Sequence, residues 1–455
     1  ASVNRRSSGP SKPSTVTTKA SSSAAIAVDS KSSKFSAVSV MPQPNAPLVP
    51  ESLEAALPPA GRVAEALTQL RQAGVEWVLC CWIDLLGLPK TKPVPLREFE
   101  ELCAGRGPQF AVHSVTMVPE LGPADPDQVM LPDLDSVVVC PWDDTVAWVF
   151  ADLYWEDAPY NVCPRLALKR QVQRAAEAGY HVNAGFEPEF IVLKEVDGEL
   201  VKAFPDEQPK IGGTSPRRQP FGYDVEHSID ALPFLRDVTA AMDQLGWGLS
   251  NVVCEGAFSQ FELDYHYSSA LEAADRFVFL RAMLKEIAKR HGLIVTFMAK
   301  PDDGDWRNGA HINHSFTPLD DQETNVFSDG SGGWSEPALA AIAGLLEHGA
   351  ALTAVACSTV NSYKGLTGTV AELEKLVAGW GRKKAPEKKL TLKSVADGVR
   401  KKVGPEPGEA EEIPVPEVVA EWGSAALDWG QRMLYERVLD MTITGKAPLP
   451  GSSHF

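Results

Sequence analysis

The sequence predicts an α+β fold with a curved antiparallel sheet, one face of which is left free for ligands. Three observations carry this expectation. Segments of helical period alternate with segments of period two. The period-two segments keep one polar face, as strands covered on a single side do. On that face NAGFEPEFIVL presents Glu187 and Glu189, CEGAFSQFELDY presents Gln260 and Glu262 after Glu255, and RNGAHINHSF presents His311 with Asn313 and Ser315. A strand points alternate side chains to opposite faces, so Phe186 and Phe190, Phe261 and Leu263, and Ile312 and Phe316 are expected on the other side. Carboxylates and an imidazole from three distant segments form a donor set for hard divalent cations. Any one such pair, taken alone, is more commonly a solvated face.

The elements follow in order. RVAEALTQLRQAG has helical spacing through Val63, Leu67 and Leu70, with Gly74 as its stop. VEWVLCCWIDLLGLPKTKPVPL reads as two strands around a turn at Leu86 to Pro89 and opens a first domain placed at 60–150. Pro164 suits a first helical position, Leu168, Val172 and Ala175 make an apolar stripe, and Gly179 ends that helix before the first carboxylate strand. Pro188 between the two glutamates weakens the strand expectation there. Leu232 to Leu245 is expected as a helix, then comes the second carboxylate strand. Ala270 to His291 is a long helix through Phe277, Leu280, Leu284 and Ile287, closed by Gly292. A catalytic domain is placed at 160–366 and a divergent segment at 367–455.

Composition excludes several classes. With 455 residues and a net charge of -17, the chain has a large core to bury and no sustained basic stripe, so neither nucleic acid nor a membrane surface is an expected partner. The late cationic cluster, GWGRKKAPEKKLTLKSVADGVRKK, is interleaved with acids and reads as a solvated face. Seven cysteines without Cys-x-x-Cys spacing read as reduced, mostly buried thiols. No apolar run approaches a membrane span. Residues 1–50 are rich in Ser, Ala, Thr, Lys and Pro, with no acid before Asp29. They are expected to be a disordered tail or an organelle transit segment of a processed or incomplete chain, the location being cytoplasmic unless they direct import.

From about Val75 to Leu366 the chain resembles the glutamine synthetase family. The resemblance rests on CWIDLLGLPKTKPVP, DPDQVMLPD, GFEPEFIVL, CEGAFSQFELDY, ALEAADRFVFL, HGLIVTFMAKP, NGAHINHSF and VNSYKGL in that order. It implies an N-terminal beta-grasp domain and a catalytic domain closed by the neighbouring subunit in a ring-shaped homo-oligomer. It implies Glu189, Glu255 and Glu262 as ligands of one Mg²⁺ or Mn²⁺ and Glu187 and His311 as two ligands of a second. Asp127 corresponds to the acid lent across the subunit interface, and Asn308 and Gly309 fall in a substrate-binding loop. The implied reaction moves the ATP γ-phosphoryl group onto the side-chain carboxylate of glutamate, and an amine attacks the acyl phosphate.

Departures from the pattern bear on the amine and on activity. Ala111 in FAVHSV stands where an acid often helps bind and deprotonate ammonium, and Asn313 replaces the second His of the usual His-x-His. With Asn313 there, NGAH together with FSQFELDYHYSSAL resembles the subgroup that makes γ-glutamyl amides from methylamine or related alkylamines, and the missing acid is consistent with this, since an alkylamine needs an apolar contact more than a second charge. Arg307 occupies a position usually small, and Gly365 follows Lys364 where an arginine often holds the glutamate carboxylate. After Leu366 the family's Asn-Arg, Glu-x-Arg and Asn-Pro-Tyr segments are not recognisable, and Glu372 is a candidate stand-in for the flap glutamate. Two function classes follow: an ATP-dependent carboxylate-amine ligase, or a non-catalytic relative serving as a regulatory or structural subunit. A generic metal-dependent phosphatase fits the carboxylates but not TFMAKP and VNSYK.

Overall fold

The structure is a computed structural model and describes residues 47–112, 124–204, 222–302, 305–357 and 359–363. The tail up to residue 46, Lys364, Gly365, Glu372 and the segment 367–455 lie outside the described residues. The described residues form an α+β fold with two seven-stranded sheets.

The first sheet contains β1 (Trp77–Ile83), β2 (Pro89–Pro95), β3 (Phe110–Ala111), β4 (Asp127–Pro132), β5 (Val138–Cys140), β6 (Asp143–Trp155) and β7 (Ala158–Pro159). The β1–β2 hairpin forms where the sequence places it. Gly87 takes φ +73, and Asp84 Oδ1 accepts the N–H groups of Leu86 and Leu88. β1 runs parallel to β6, and β4 and β5 run antiparallel to it. β6 is buried along most of its length because both of its faces are covered. Ala147, Val149, Ala151 and Leu153 face a core with Leu67 and Leu70 of the helix Ala60–Gln72, while Trp148 and Phe150 face the core of the second sheet. The first sheet runs on to Pro159, past residue 150, because β7 pairs with the end of β6.

The second sheet is organised around β8 (Tyr180–Val196), which is paired on both edges. Ile191 faces Gln260 of β11 (Gln260–Tyr265) and Thr296 of β13 (Ile294–Thr296), and Ala184 faces Ser268 of β12 (Ser268–Ser269) and His314 of β14 (Ala310–Pro318). The hairpin partner β9 (Glu199–Lys202) and the strand β10 (Leu249–Cys254), next to β11, complete the sheet. Pro188 does not interrupt β8. Glu189 N–H donates to Gly309 on the β14 edge, so the preceding nitrogen points to the other edge, where β11 pairing ends at Glu189 and no ladder bond is needed from Pro188. The helices Val225–Leu245 and Ala270–Arg290 cover the apolar face, burying Phe234, Val238, Phe279, Leu280 and Leu284 against Phe190 and Phe261. Phe186 stacks on Phe277 at 4.8 Å. Ile312 differs from its neighbours and stays 58% exposed.

Two helices depart from the sequence reading. Val225–Leu245 starts seven residues before Leu232, capped by the Asp224 side chain on the N–H groups of Glu226 and His227. Pro233 lies inside it, where it brings no N–H to the helix ladder. In Pro164–Glu177 the fully buried positions are Arg165, Leu166, Lys169 and Ala176, while Leu168, Val172 and Ala175 are half-buried. The buried cations meet three carboxylates. Arg165 binds Asp152 at 2.7 Å, Asp275 at 2.8 Å and Asp133 at 2.9 Å, and Lys169 binds Asp152 at 2.5 Å and Asp133 at 2.8 Å. Asp152 lies on β6 and Asp133 directly follows β4, whereas Asp275 lies on the helix Ala270–Arg290 that covers the second sheet, so one guanidinium joins the two layers. Burial opposes ionisation of Asp133, but Lys169 and Arg165 hold it far below the usual carboxylate range. Burial raises Asp275 despite Arg165.

Removing the guanidinium leaves Asp133 and Asp152 to share Lys169 and takes from Asp275 its ion-pair partner. Arg165→Met is expected to lose about 3–5 kcal/mol of stability in urea unfolding, and a loss below about 1 kcal/mol would contradict this role for the network.

Candidate metal centre

Register sets the geometry of the site. His311 on β14 lies directly across from Glu187 on β8, and Glu262 on β11 lies directly across from Glu189. Glu187 and Glu189 share a face because they are two residues apart, so ligands from three strands meet over β8. His311 Nδ1 is 3.3 Å from Glu187 Oε2 and 3.8 Å from Glu262 Oε2. One ligand atom from each of Glu187, Glu262 and His311 lies within 4.8 Å of the others. Two carboxylates and an imidazole at that spacing fit a divalent cation.

Glu189 and Glu255 adjoin this group. Burial, and after it the charge of Glu189, raises the Glu255 carboxyl above its usual range. Glu262 is pushed up to about 8 by burial and then by Glu187, Asp264, Glu255 and Glu189, so it feels the charge of every other glutamate of the group. Ionising a carboxyl in such a crowd brings like charges together, and a bound cation would relieve that repulsion.

Polar neighbours fix the ligands. Asn313 Nδ2 donates to Glu187 Oε1 at 2.7 Å, which gives Asn313 a positioning task. Gln260 is buried, and its Nε2 donates to Glu189 Oε2 at 2.8 Å and to the Arg307 carbonyl at 2.7 Å, with Asn308 Oδ1 at 3.2 Å. Asn308 in turn donates to the Met298 carbonyl at 2.9 Å and takes Ala299 as its backbone partner. Gly309 leaves room for the ligands: a Cβ there would lie 2.5 Å from Glu189 Oε1 and 3.1 Å from His311 Nε2. Asn361, in the VNSYK segment, exchanges two hydrogen bonds with the backbone of Lys300 in TFMAKP, tying these two motifs together.

The structure thus brings together Glu187, Glu262 and His311, with Glu189, Glu255, Asn308 and Gly309 around them. Asp127 stands apart: it begins β4 in the first sheet, exposed, opposite Ala111. Three contributors escaped the sequence reading. His227 and Ser259 bind each other through the β10–β11 turn, and Gly256 lies under the exposed indole of Trp306, where a Cβ would come within 2.5 Å of the ring. Only the short Gly-Ala-Phe-Ser run between the carboxylates hinted at a tight turn there.

Two outcomes are expected. Glu262 holds its proton in the folded chain at pH values where the unfolded chain has lost it, so stability falls as pH rises from the usual carboxylate range to about 8. In chelator, thermal unfolding should show this decline, with a shallower slope in Glu262→Gln, and identical slopes would contradict the assignment. Gly309→Ala should leave the fold intact while weakening Mn²⁺ uptake at least about tenfold, because it displaces Glu189. Unchanged uptake would count against Glu189 as part of the site.

Comparison with known proteins agrees with the geometry. The family "glutamine synthetase, catalytic domain" matches residues 161–383. The chain is 36% identical over 299 residues to a glutamine synthetase of Rhizobium meliloti, covering 65% of each chain. It is 31% identical over 309 residues to a glutamate–methylamine ligase of Methyloversatilis universalis, covering 67% of this chain and 66% of that one. A solved GmaS/ADP complex is 33% identical, with a TM-score of 0.61 and coverage of 68% of this chain and 69% of that one. Apo GmaS without ligand is 27% identical, with a TM-score of 0.62 and coverage of 84% and 97%. The matches to curated relatives thus span about two thirds of those proteins. With the site strands, their order and these likenesses in agreement, the chain belongs to the glutamine synthetase family.

Proposed function

We propose that the chain is an ATP-dependent ligase that joins the side-chain carboxylate of glutamate to ammonia or a small alkylamine through an acyl phosphate. The convergence of Glu187, Glu262 and His311 over β8 carries the reading. A carboxylate is a poor acyl donor at neutral pH, and phosphorylation by ATP turns one of its oxygens into a leaving group. Glu187, Glu262 and His311 would hold one Mg²⁺ or Mn²⁺, and Glu189 and Glu255 beside them a second. When bound, such cations supply neutralisation of the phosphate charge and orientation for in-line transfer. The protein's own work is positioning. Gln260 fixes Glu189, Asn313 fixes Glu187, and Gly309 keeps the space beside them open.

In this reading Asn308 and Gly309 border the glutamate subsite, Arg307 supplies charge for its carboxylate, and Asp127 serves a neighbouring subunit of a ring-shaped homo-oligomer. An alkylamine is the favoured nucleophile because Ala111 brings no counter-charge for ammonium. The likeness to a glutamate–methylamine ligase and to GmaS supports that preference. A second reading, a non-catalytic relative that keeps the fold and cation site, draws on the family match ending at residue 383 and on Gly365 beside Lys364.

Phosphate release with ATP, Mg²⁺ and glutamate, compared across ammonium, methylamine, ethylamine and polyamines, separates the two. The ligase reading predicts glutamate-dependent release at least about tenfold above a Glu189→Ala blank, fastest with a small alkylamine. Release no greater than the blank with every amine would establish the non-catalytic reading instead.

A further inference from the structure

The turn between β10 and β11 holds a residue in a conformation that its side chain disfavours. Ser259 is fully buried at φ +62, in the left-handed region that L side chains seldom occupy. Three hydrogen bonds hold it there. Its N–H donates to His227 Nε2 at 2.7 Å, its Oγ accepts the Phe204 N–H at 2.8 Å, and its carbonyl accepts the Val192 N–H of β8 at 2.8 Å.

The His227 bond fixes a protonation state. A backbone N–H only donates, so Nε2 must be unprotonated and the ring proton sits on Nδ1. The surroundings agree: the imidazole is 7% exposed, with the rings of Phe261, Phe258 and Phe204 at 5.0, 6.0 and 6.3 Å. Burial lowers its proton affinity against the pull of Asp224 and Asp230, and Lys202 lowers it further.

The consequence runs directly into the site. Gln260 follows Ser259. Its side-chain carbonyl accepts the Ala257 N–H, its backbone carbonyl accepts the Glu255 N–H, and its amide holds Glu189 and the Arg307 carbonyl. Rotating Ser259 toward ordinary φ would turn Gln260 and shift Glu255 and Glu262, which flank it.

We propose that His227 is a positioning residue whose neutral imidazole, by accepting the Ser259 N–H, keeps the β10–β11 turn left-handed and so sets Gln260 and the carboxylates for cation binding. This deepens the reading of the cluster as a cation site and rests on it. The α-helix Val225–Leu245 thereby reaches the site through one hydrogen bond, although none of its side chains is among the ligands.

The test compares His227→Gln, which keeps an acceptor at similar reach, with His227→Phe, which keeps the ring and loses the acceptor, and with His227→Phe/Ser259→Gly, in which glycine takes the left-handed conformation freely. Two measurements are made on the full chain: hydrogen exchange of the segment 255–262, and Mn²⁺ binding with the metal alone. The expected result is faster exchange and about tenfold weaker Mn²⁺ binding in His227→Phe, in line with loss of an outer-shell partner. Values within about threefold of wild type are expected in His227→Gln and in the double variant. Equal losses in the Gln and Phe variants, no exchange difference in a folded Phe variant, or no recovery with glycine would each overturn the proposal. Wild-type protein that takes up no Mn²⁺ overturns the cation reading instead, and the exchange comparison then decides the part played by His227 on its own.

Discussion

Like charges gathered on one strand repel, and the second sheet is built to hold them together regardless. Glu187 and Glu189 stand on the same face of β8, with His311 and Glu262 directly opposite them on β14 and β11. Nothing about that crowding favours folding of the cation-free chain, since Glu262 is driven to retain a proton. What offsets it lies on the other face of the same strand. There Phe186 and Phe190 bury against Phe261, Phe277 and the two long helices, so the period-two alternation that exposes the carboxylates also anchors the strand. Site and core are two sides of one register, and a slip by a single residue would destroy both.

A second constraint keeps the two sheets in place. Arg165 and Lys169 carry charge into the boundary between the layers, where Asp133, Asp152 and Asp275 meet them. Such a network adds little net stability over a well-packed apolar contact, but it is costly to break, because each member left behind is a buried ion. It joins the same two layers as Trp148 and Phe150, whose rings pack with the second-sheet core. The apolar contact supplies attraction and the ionic one supplies fixed geometry.

Much of this was legible in the sequence, for identifiable reasons. Alternation around Glu187, Glu262 and His311 is a local property, and the faces followed from it. Helix stops at Gly74, Gly179 and Gly292 were readable because each adopts positive φ, which glycine tolerates. Other features were not local. The strand through Pro188 survives because β11 departs at that point, a fact about the partner strand rather than the residue. Leu168, Val172 and Ala175 made the better apolar stripe, yet Arg165 and Lys169 are more deeply buried, since their carboxylate partners come from distant segments. The grouping of Glu262 with Glu187 and His311, and the link from His227 to Ser259, also depend on contacts across strands and helices that no short motif encodes.

The central claim is that Glu187, Glu262 and His311 bind a cation jointly. Pulsed electron paramagnetic resonance of Mn²⁺ added to the 455-residue chain tests it most directly, because a coordinated imidazole nitrogen couples to the electron spin. The account predicts a directly bonded nitrogen signal in the wild type that disappears in His311→Gln. Bound Mn²⁺ without nitrogen coupling, or a coupling that persists in the variant, would contradict it.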